Sequence, residues 1–184
     1  MGEDHNSEER SRLGHNIRES LPVHPNKDSR SHSYSLSLDG LVQNRLTLTL
    51  KDLERLPQYD LTDDFTCLEG WTVPEVRWSG VSLEDVLSLA EPLPEAQYVQ
   101  ASAGDFSLPL SLEEGGRALL ATHLGGEVLS VEHGGPVRLV IRGGQCFMQI
   151  KWLDRVELRR TADANTAKTI ALGRLPAIAS ASDK

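Results

Sequence analysis

The chain's 184 residues are the usual size of one domain, and its 39% hydrophobic and 25% charged residues predict a packed core rather than a disordered chain. The formal net charge of -8 argues against broad nucleic-acid binding, because such binding depends on neutralising phosphates. Two cysteines are too few for a disulfide scaffold, and the longest unbroken apolar stretch, residues 118–121, is far too short for a transmembrane segment.

Both ends of the chain differ in composition from the middle. Residues 1–33 are polar with scattered apolar positions, so we predict a flexible N-terminal leader that is able to dock as an arm. The leader has no adjacent arginine pair and no apolar core, which predicts a cytoplasmic protein, or a periplasmic one if an export signal has been removed. Residues 34–160 are predicted to form the folded domain. Residues 161–184 form a tail rich in Ala, Ser and Thr, whose order is left open.

The first predicted elements are strands. Residues 34–39 alternate between apolar and polar side chains, and Asp39-Gly40 supplies a turn. Residues 46–50 alternate in the same way, so the two segments are predicted to form a hairpin or meander. Residues 51–55 then indicate a short helix that stops before Pro57.

The clearest helix signal covers residues 82–90. Ser82 is a suitable N-cap, acidic residues occupy the first turn, and Leu83, Val86, Leu87 and Ala90 fall on one face. Further strands are predicted over residues 98–102, 106–110, 119–123, 137–141 and 152–158, with a hairpin turn at Gly125-Gly126. These elements together predict an α+β domain of strands with a few short helices.

Cys67 is the first candidate for chemistry. It follows a strand-like run and precedes Gly70, and a thiolate at a strand end beside a flexible turn can meet a metal. A small buried hydrophobic residue and a disulfide with Cys146 are the structural alternatives. A tetrahedral zinc site is not predicted, since the chain has no Cys-x-x-Cys motif. A Cys-His nucleophile pair stays open, because its partners need only be close in space.

A basic region within this acidic chain is the second candidate. Residues 131–160 contain six basic and three acidic side chains, a net charge of +3. Glycines between them let backbone amides approach a ligand, so the region suits a small anion such as a phosphate. The region matches neither a Walker loop nor a dinucleotide fingerprint. An ordinary solvated surface with turn glycines is the alternative.

Taken together, several segments resemble the molybdenum-cofactor domain of the sulfite oxidase superfamily, in its small bacterial form close to the catalytic subunit of methionine-sulfoxide reductase. The resemblance covers residues 34–158 and rests on motifs in the family's order and spacing, among them Phe65-Thr-Cys-Leu-Glu-Gly-Trp71, Trp78-Ser-Gly-Val-Ser-Leu83, Glu132-His-Gly-Gly-Pro-Val-Arg138 and Lys151-Trp-Leu-Asp-Arg-Val-Glu-Leu158. It implies a sulfite-oxidase-like fold and a molybdenum-molybdopterin cofactor.

The resemblance also implies roles for individual residues. It makes Cys67 the catalytic thiolate ligand of molybdenum. It implies that His133, Arg138 and Lys151 contact the pterin and its phosphate. Thr66 and Gly135 are implied to complete the cofactor-binding set by shaping the pocket. The implied reaction is a two-electron oxygen-atom transfer on a small sulfite-like oxyanion or sulfoxide, with electrons exchanged with a separate electron-transfer protein. Arg77 is a candidate contact for an anionic substrate, with surface solvation as its alternative.

The chain departs from the family pattern in two places. An aromatic-glycine-aromatic-lysine run is replaced by Gln145-Cys-Phe-Met148, and the leader does not match the family's N-terminal cofactor-contacting segment. These departures support an alternative function, a cofactor-poor binding or scaffold module that keeps the fold without redox turnover.

Overall fold

Ten strands build the frame of the protein, whose computed structural model describes residues 21–23 and 34–174. The strands are β1 (Leu36–Gly40), β2 (Leu46–Leu48), β3 (Gln58–Thr66), β4 (Thr72–Ser82), β5 (Tyr98–Ala103), β6 (Phe106–Ser111), β7 (Ala118–Leu124), β8 (Glu127–Val128), β9 (Arg138–Ile141) and β10 (Arg155–Arg159). One sheet has the order β2-β1-β10-β5-β6. The other has the order β3-β4-β7-β8, with β9 also paired to β7.

Short helices connect these strands. They are α1 (Leu50–Glu54), α2 (Leu83–Ala90), α3 (Leu112–Gly116) and α4 (Thr166–Arg174), with 3₁₀ turns at Val131–His133 and Cys146–Met148. None of the helices in the described ranges is long and apolar enough to cross a membrane. Mixed sheets with a few short helices confirm the predicted α+β class.

Local sequence signals predict several of these elements correctly. In α2, the Ser82 hydroxyl accepts a hydrogen bond from the Glu84 amide, and the four apolar side chains predicted for one face are all buried. The predicted hairpin is the antiparallel pair β1–β2, and Gly125-Gly126 joins the antiparallel pair β7–β8. These features depend on neighbours in sequence, which is why the pattern alone predicts them.

Elsewhere the structure corrects the predicted boundaries. The strand predicted over residues 152–158 begins at Arg155 instead, because Trp152 has a φ of 57° and its amide donates a hydrogen bond to the Gly134 carbonyl. Strand β4 was not predicted; it contains Pro74 and has a positive φ of 52° at Glu75, which interrupts the alternating pattern. Helices α3 and α4 were not predicted either.

The two sheets enclose two groups of buried apolar residues. The larger group contains residues of α2 and of both sheets, with β1, β5, β6 and β10 on one side and β4, β7 and β9 on the other. The smaller group lies against β3, β4, β7 and β9, and includes Phe65, Trp78 and Leu124.

Leu21 belongs to the smaller group and is 2% exposed. Of the predicted leader, only residues 21–23 lie within the described part of the chain. The part of the predicted tail that is described contains α4.

Candidate functional site

A cavity of about 240 Å³ lies where the end of β3, the start of β9 and the segment after the second 3₁₀ turn converge. Three of the residues that the sequence analysis singled out line it together: Cys67, Arg138 and Lys151. Aromatic side chains form part of its wall, with Trp71 and Trp152 both in contact with the space. The cavity therefore combines a sulfur atom, two cationic side chains and apolar surface.

Cys67 is positioned by the turn that ends β3. Its amide donates to the Trp71 carbonyl at 2.9 Å, and its own carbonyl accepts from the Gly70 amide at 3.0 Å. The turn returns the chain into β4, which pairs with β3 along nearly its whole length. Burial, as the main cause, raises the pKa of the Cys67 thiol, while a hydrogen bond from the Glu69 backbone opposes that rise. The side chain is half-buried and faces the cavity.

Arg138 is a buried cation at the first residue of β9. Its side chain is 2% exposed, and its guanidinium carbon lies 5.3 Å from the Phe65 ring centre and 5.0 Å from that of Trp78. One Nη donates to the His133 carbonyl at 3.0 Å. Burial lowers the pKa of Arg138 to about 10, so the guanidinium stays protonated at neutral pH. Both aromatic rings stabilise that charge.

Lys151 supplies the second positive charge. Its Nζ donates to the Pro22 carbonyl at 3.0 Å and to the Glu132 carbonyl at 3.3 Å. Burial, together with the nearby charge of Arg138, lowers the pKa of Lys151 to about 8. The stem of Lys151 packs closely over Gly134, where a Cβ atom would lie 2.6 Å from the lysine Cγ. A side chain at position 134 would therefore displace the lysine.

The remaining predicted site residues lie around the cavity rather than on its wall. His133 is buried, its Nδ1 lies 2.8 Å from the Ser130 hydroxyl, and its carbonyl holds Arg138. The Thr66 hydroxyl is 3.1 Å from that of Thr72. Gly135 packs against the backbone of Leu129, with no room for a Cβ atom.

Arg77, the candidate for an anionic substrate, is exposed on β4 and does not line the cavity.

The basic region of residues 131–160 is divided by the fold. Arg155 pairs with Asp39 and Glu157, and Arg159 pairs with Glu157 and Asp163. Those ion pairs lie on β10, in the first sheet. Only Arg138 and Lys151 of the region bring positive charge to the cavity wall.

Two cavity residues, Cys146 and Gln149, carry functional potential that was not assigned to a site from the sequence. Cys146 appeared there only as a disulfide partner, whereas its thiol donates to the Cys67 sulfur at 3.6 Å and both cysteines are free. Gln149 is buried against the cavity, and the indole of Trp152 donates to the Val131 carbonyl. The sequence feature that pointed to this part of the cavity was the departure from the family pattern at Gln145-Cys-Phe-Met148, because the resemblance places that run beside the cofactor.

Two buried polar atoms on the cavity residues have no hydrogen-bond partner within the described residues. They are the Nε of Arg138 and the Oε1 of Gln149. A buried polar group without a partner costs free energy, so a ligand that supplies both an acceptor and a donor would be favoured here. The sulfur of Cys67 in turn favours a soft metal. The residues present thus fit a metal that is carried by an anionic, hydrogen-bonding organic group.

Comparisons with known proteins agree on the family of this chain. A family model described as "oxidoreductase molybdopterin binding domain" matches residues 21–167. Among individual proteins, the chain is 28% identical to a sulfite oxidase of Arabidopsis thaliana over 68% of this chain and 42% of that protein. It is 24% identical to the catalytic subunit of a protein-methionine-sulfoxide reductase of Campylobacter jejuni, over 77% of this chain and 54% of that one.

A solved structure shares the fold. The sulfane dehydrogenase SoxCD of Paracoccus pantotrophus superposes with a TM-score of 0.67 and 27% sequence identity, covering 78% of this chain and 41% of that one. The chain spans about two fifths of the length of that protein and of the plant sulfite oxidase, and about half that of the bacterial reductase.

Proposed function

This chain belongs to the oxidoreductase molybdopterin-binding family, and from that premise we propose that it transfers an oxygen atom to or from a small sulfur compound at a molybdenum held by Cys67. The observation that carries the proposal is the meeting of Cys67, Arg138 and Lys151 on one cavity, although they lie far apart in sequence. A soft donor and two cations are what a dithiolene-bound metal with a phosphate group requires.

Cys67 would hold the metal. Its turn is fixed by the two backbone hydrogen bonds at Trp71 and Gly70, so the backbone of Cys67 is held beside the cavity before the metal arrives. The raised pKa of the thiol means that it must lose its proton to become a ligand, and metal binding favours that loss. When bound, the molybdenum cofactor supplies the two-electron chemistry.

Arg138 and Lys151 would hold the organic part of the cofactor. The Nε of Arg138 is buried without a partner, so an acceptor on the cofactor would satisfy it. Lys151 already donates to two carbonyl oxygens, which fixes the position of its ammonium at the cavity. His133 would act indirectly, because its carbonyl orients the arginine and its ring hydrogen-bonds to Ser130.

The substrate class proposed is a small molecule with a sulfur–oxygen bond or an oxidisable sulfur. Two relatives are named for sulfite and for methionine sulfoxide, and the solved neighbour is named for sulfane sulfur. The aromatic rings of Trp71 and Trp152 and the cation of Lys151 suit a compact polar substrate with a polarisable sulfur. Since such a reaction moves two electrons, a separate electron-transfer protein is part of the proposal.

The proposal is tested by the molybdenum content per chain after expression in a host that makes the pterin cofactor. Wild-type protein is expected to contain close to one metal per chain, and Cys67→Ser is expected to contain almost none. Cys146→Ser removes a thiol from the same cavity and serves as the matched control, with molybdenum retained. A wild-type protein that is well folded but free of molybdenum would support the scaffold alternative instead.

A further inference from the structure

We propose that Cys67 and Cys146 form a reversible disulfide when the cofactor-free protein meets a peroxide, and that this bond withholds Cys67 from the metal until it is reduced. The inference rests on the proposed role of Cys67 as the metal ligand and adds a regulation of that same site.

The distance between the two sulfur atoms is the first argument. The Cys146 thiol donates to the Cys67 sulfur at 3.6 Å, although 79 positions separate the two residues. A disulfide bond is about 2.05 Å long, so the sulfur atoms need to approach by roughly 1.5 Å. Both side chains are half-buried and both line the cavity, so a small oxidant that enters the cavity reaches either thiol.

The local backbone allows that approach without breaking a sheet. Cys67 is the first residue after β3, and Cys146 opens the 3₁₀ turn that follows β9. The loop before Cys146 is tied to β3 through a hydrogen bond from the Gly143 amide to the Asp63 carboxylate. This tie keeps the two loops together, while neither cysteine takes part in strand pairing. Rotation of the two side chains and adjustment of the two loops would bring the sulfur atoms together.

The chemistry balances with hydrogen peroxide as the oxidant. One thiolate attacks a peroxide oxygen, the O–O bond breaks, and hydroxide leaves, which gives a sulfenic acid on that cysteine. The second thiol then attacks the sulfenic sulfur, forms the S–S bond and releases water. The two sulfur atoms together lose two electrons, and the peroxide is reduced to hydroxide and water. A dithiol reductant reverses the change by thiol–disulfide exchange.

The oxidation state of the Cys67 sulfur decides whether this residue can bind the metal. Metals bind the thiolate, and a sulfur atom in a disulfide has no negative charge to donate. Oxidation of the pair and ligation by Cys67 are therefore mutually exclusive. Once Cys67 is bound to the metal, Cys146 has lost its partner, so the loaded protein is protected from this reaction.

The first experiment uses the full chain from a host that cannot make the pterin cofactor. After hydrogen peroxide, the number of titratable thiols is expected to fall from two to none, the intact mass to fall by two hydrogen atoms, and a peptide linking Cys67 to Cys146 to appear. Dithiothreitol is expected to restore both thiols. In Cys146→Ser, the remaining thiol is expected to gain oxygen, which dimedone traps. Two free thiols after treatment, or disulfide-linked dimers in place of the internal bond, would overturn the inference.

The second experiment separates this inference from the proposed function. Oxidised and reduced wild-type protein are each incubated with molybdenum cofactor released from another molybdoenzyme, and bound pterin is measured by fluorescence. The oxidised form is expected to take up at least tenfold less, with recovery after reduction. Equal uptake by both forms would contradict the withholding step. A disulfide that forms in a protein whose reduced form takes up no cofactor would contradict the proposed function and leave the cysteine pairing established.

Discussion

The ammonium of Lys151 donates a hydrogen bond to the carbonyl of Pro22 across 129 positions of sequence. This contact brings a segment from the predicted leader onto the cavity wall, where Leu21 is also buried. It fixes the lysine with carbonyl oxygens that carry no formal charge, so the positive charge remains available to an anion. Lys151 and its neighbours on the cavity therefore give the most direct tests of the site.

The contribution of Lys151 to cofactor binding is expected to be lost above pH 8. Burial lowers the pKa of Lys151 to about 8, so the ammonium that would pair with the cofactor phosphate is lost as the pH rises through that value. Metal ligation also releases the proton of the Cys67 thiol, which favours binding at higher pH, so the contribution of Lys151 is measured as the ratio of wild-type to Lys151→Met affinity. That ratio should fall up to about tenfold per pH unit above pH 8. Binding titrations between pH 7 and 9.5 measure this slope. Lys151→Met should bind more weakly than wild type below pH 8, and a ratio that does not change with pH would contradict the role of Lys151.

The ionisation of Lys151 should also make the cofactor-free protein more stable as the pH rises. The folded pKa of Lys151 lies below the ordinary value of 10.5, so between about 8 and 10.5 the unfolded chain binds more protons than the folded one. The cost of burying the charged lysine is complete below pH 8 and is relieved as the pH rises through this window. The free energy of unfolding of wild type should therefore rise relative to that of Lys151→Met from pH 7 to pH 10, as urea titrations would show. A difference that is independent of pH would contradict the lowered pKa.

Removal of the charge at Arg138 is expected to weaken cofactor retention. A hydrogen bond to a charged group contributes about 1.5–3 kcal/mol, which corresponds to roughly 10- to 150-fold in affinity. Arg138→Met keeps much of the side-chain volume between Phe65 and Trp78 while it removes the guanidinium. Pterin content per chain after gel filtration measures the loss. Arg142→Met changes an exposed arginine four positions away and should retain the wild-type content.

Gly134 is expected to be intolerant of a side chain for two separable reasons. Its φ is 99°, and an added Cβ would lie 2.6 Å from Cγ of Lys151. Gly126 has a similar φ of 87° but open space around it, so Gly126→Ala isolates the backbone strain of about 1 kcal/mol. Gly134→Ala should lose more stability than Gly126→Ala in urea unfolding, and it alone should reduce pterin content. Equal effects of the two variants would show that the contact with Lys151 does not matter.

The cap of α2 should contribute to stability without affecting the site. Ser82→Ala removes the acceptor for the Glu84 amide and should lower the free energy of unfolding by about 1 kcal/mol. Ser88 lies in the same helix, and its hydroxyl donates only to the Glu84 carbonyl, so Ser88→Ala should cost less. Urea denaturation of both variants measures the difference. Pterin content should equal that of wild type in each.

Local sequence patterns were sufficient to predict several of the elements and the family. Alternating apolar residues predicted β1 and β2, and a serine cap with an apolar stripe predicted α2, because these signals involve residues within one or two turns of each other. Motifs in a characteristic order identified the sulfite oxidase superfamily, which the family model and the SoxCD fold confirm. The roles of Cys67 and the basic side chains remain predictions.

Which of these residues come into contact depends on tertiary packing. Composition placed six basic residues in one region, but ion pairs hold Arg155 and Arg159 on β10, while Arg138 on β9 is buried against two aromatic rings. The proximity of Cys67 and Cys146 arises from the packing of two loops that are distant in sequence. Periodicity reports which face of an element is apolar and carries no information on which loops lie side by side, because that depends on how the sheets pair and pack.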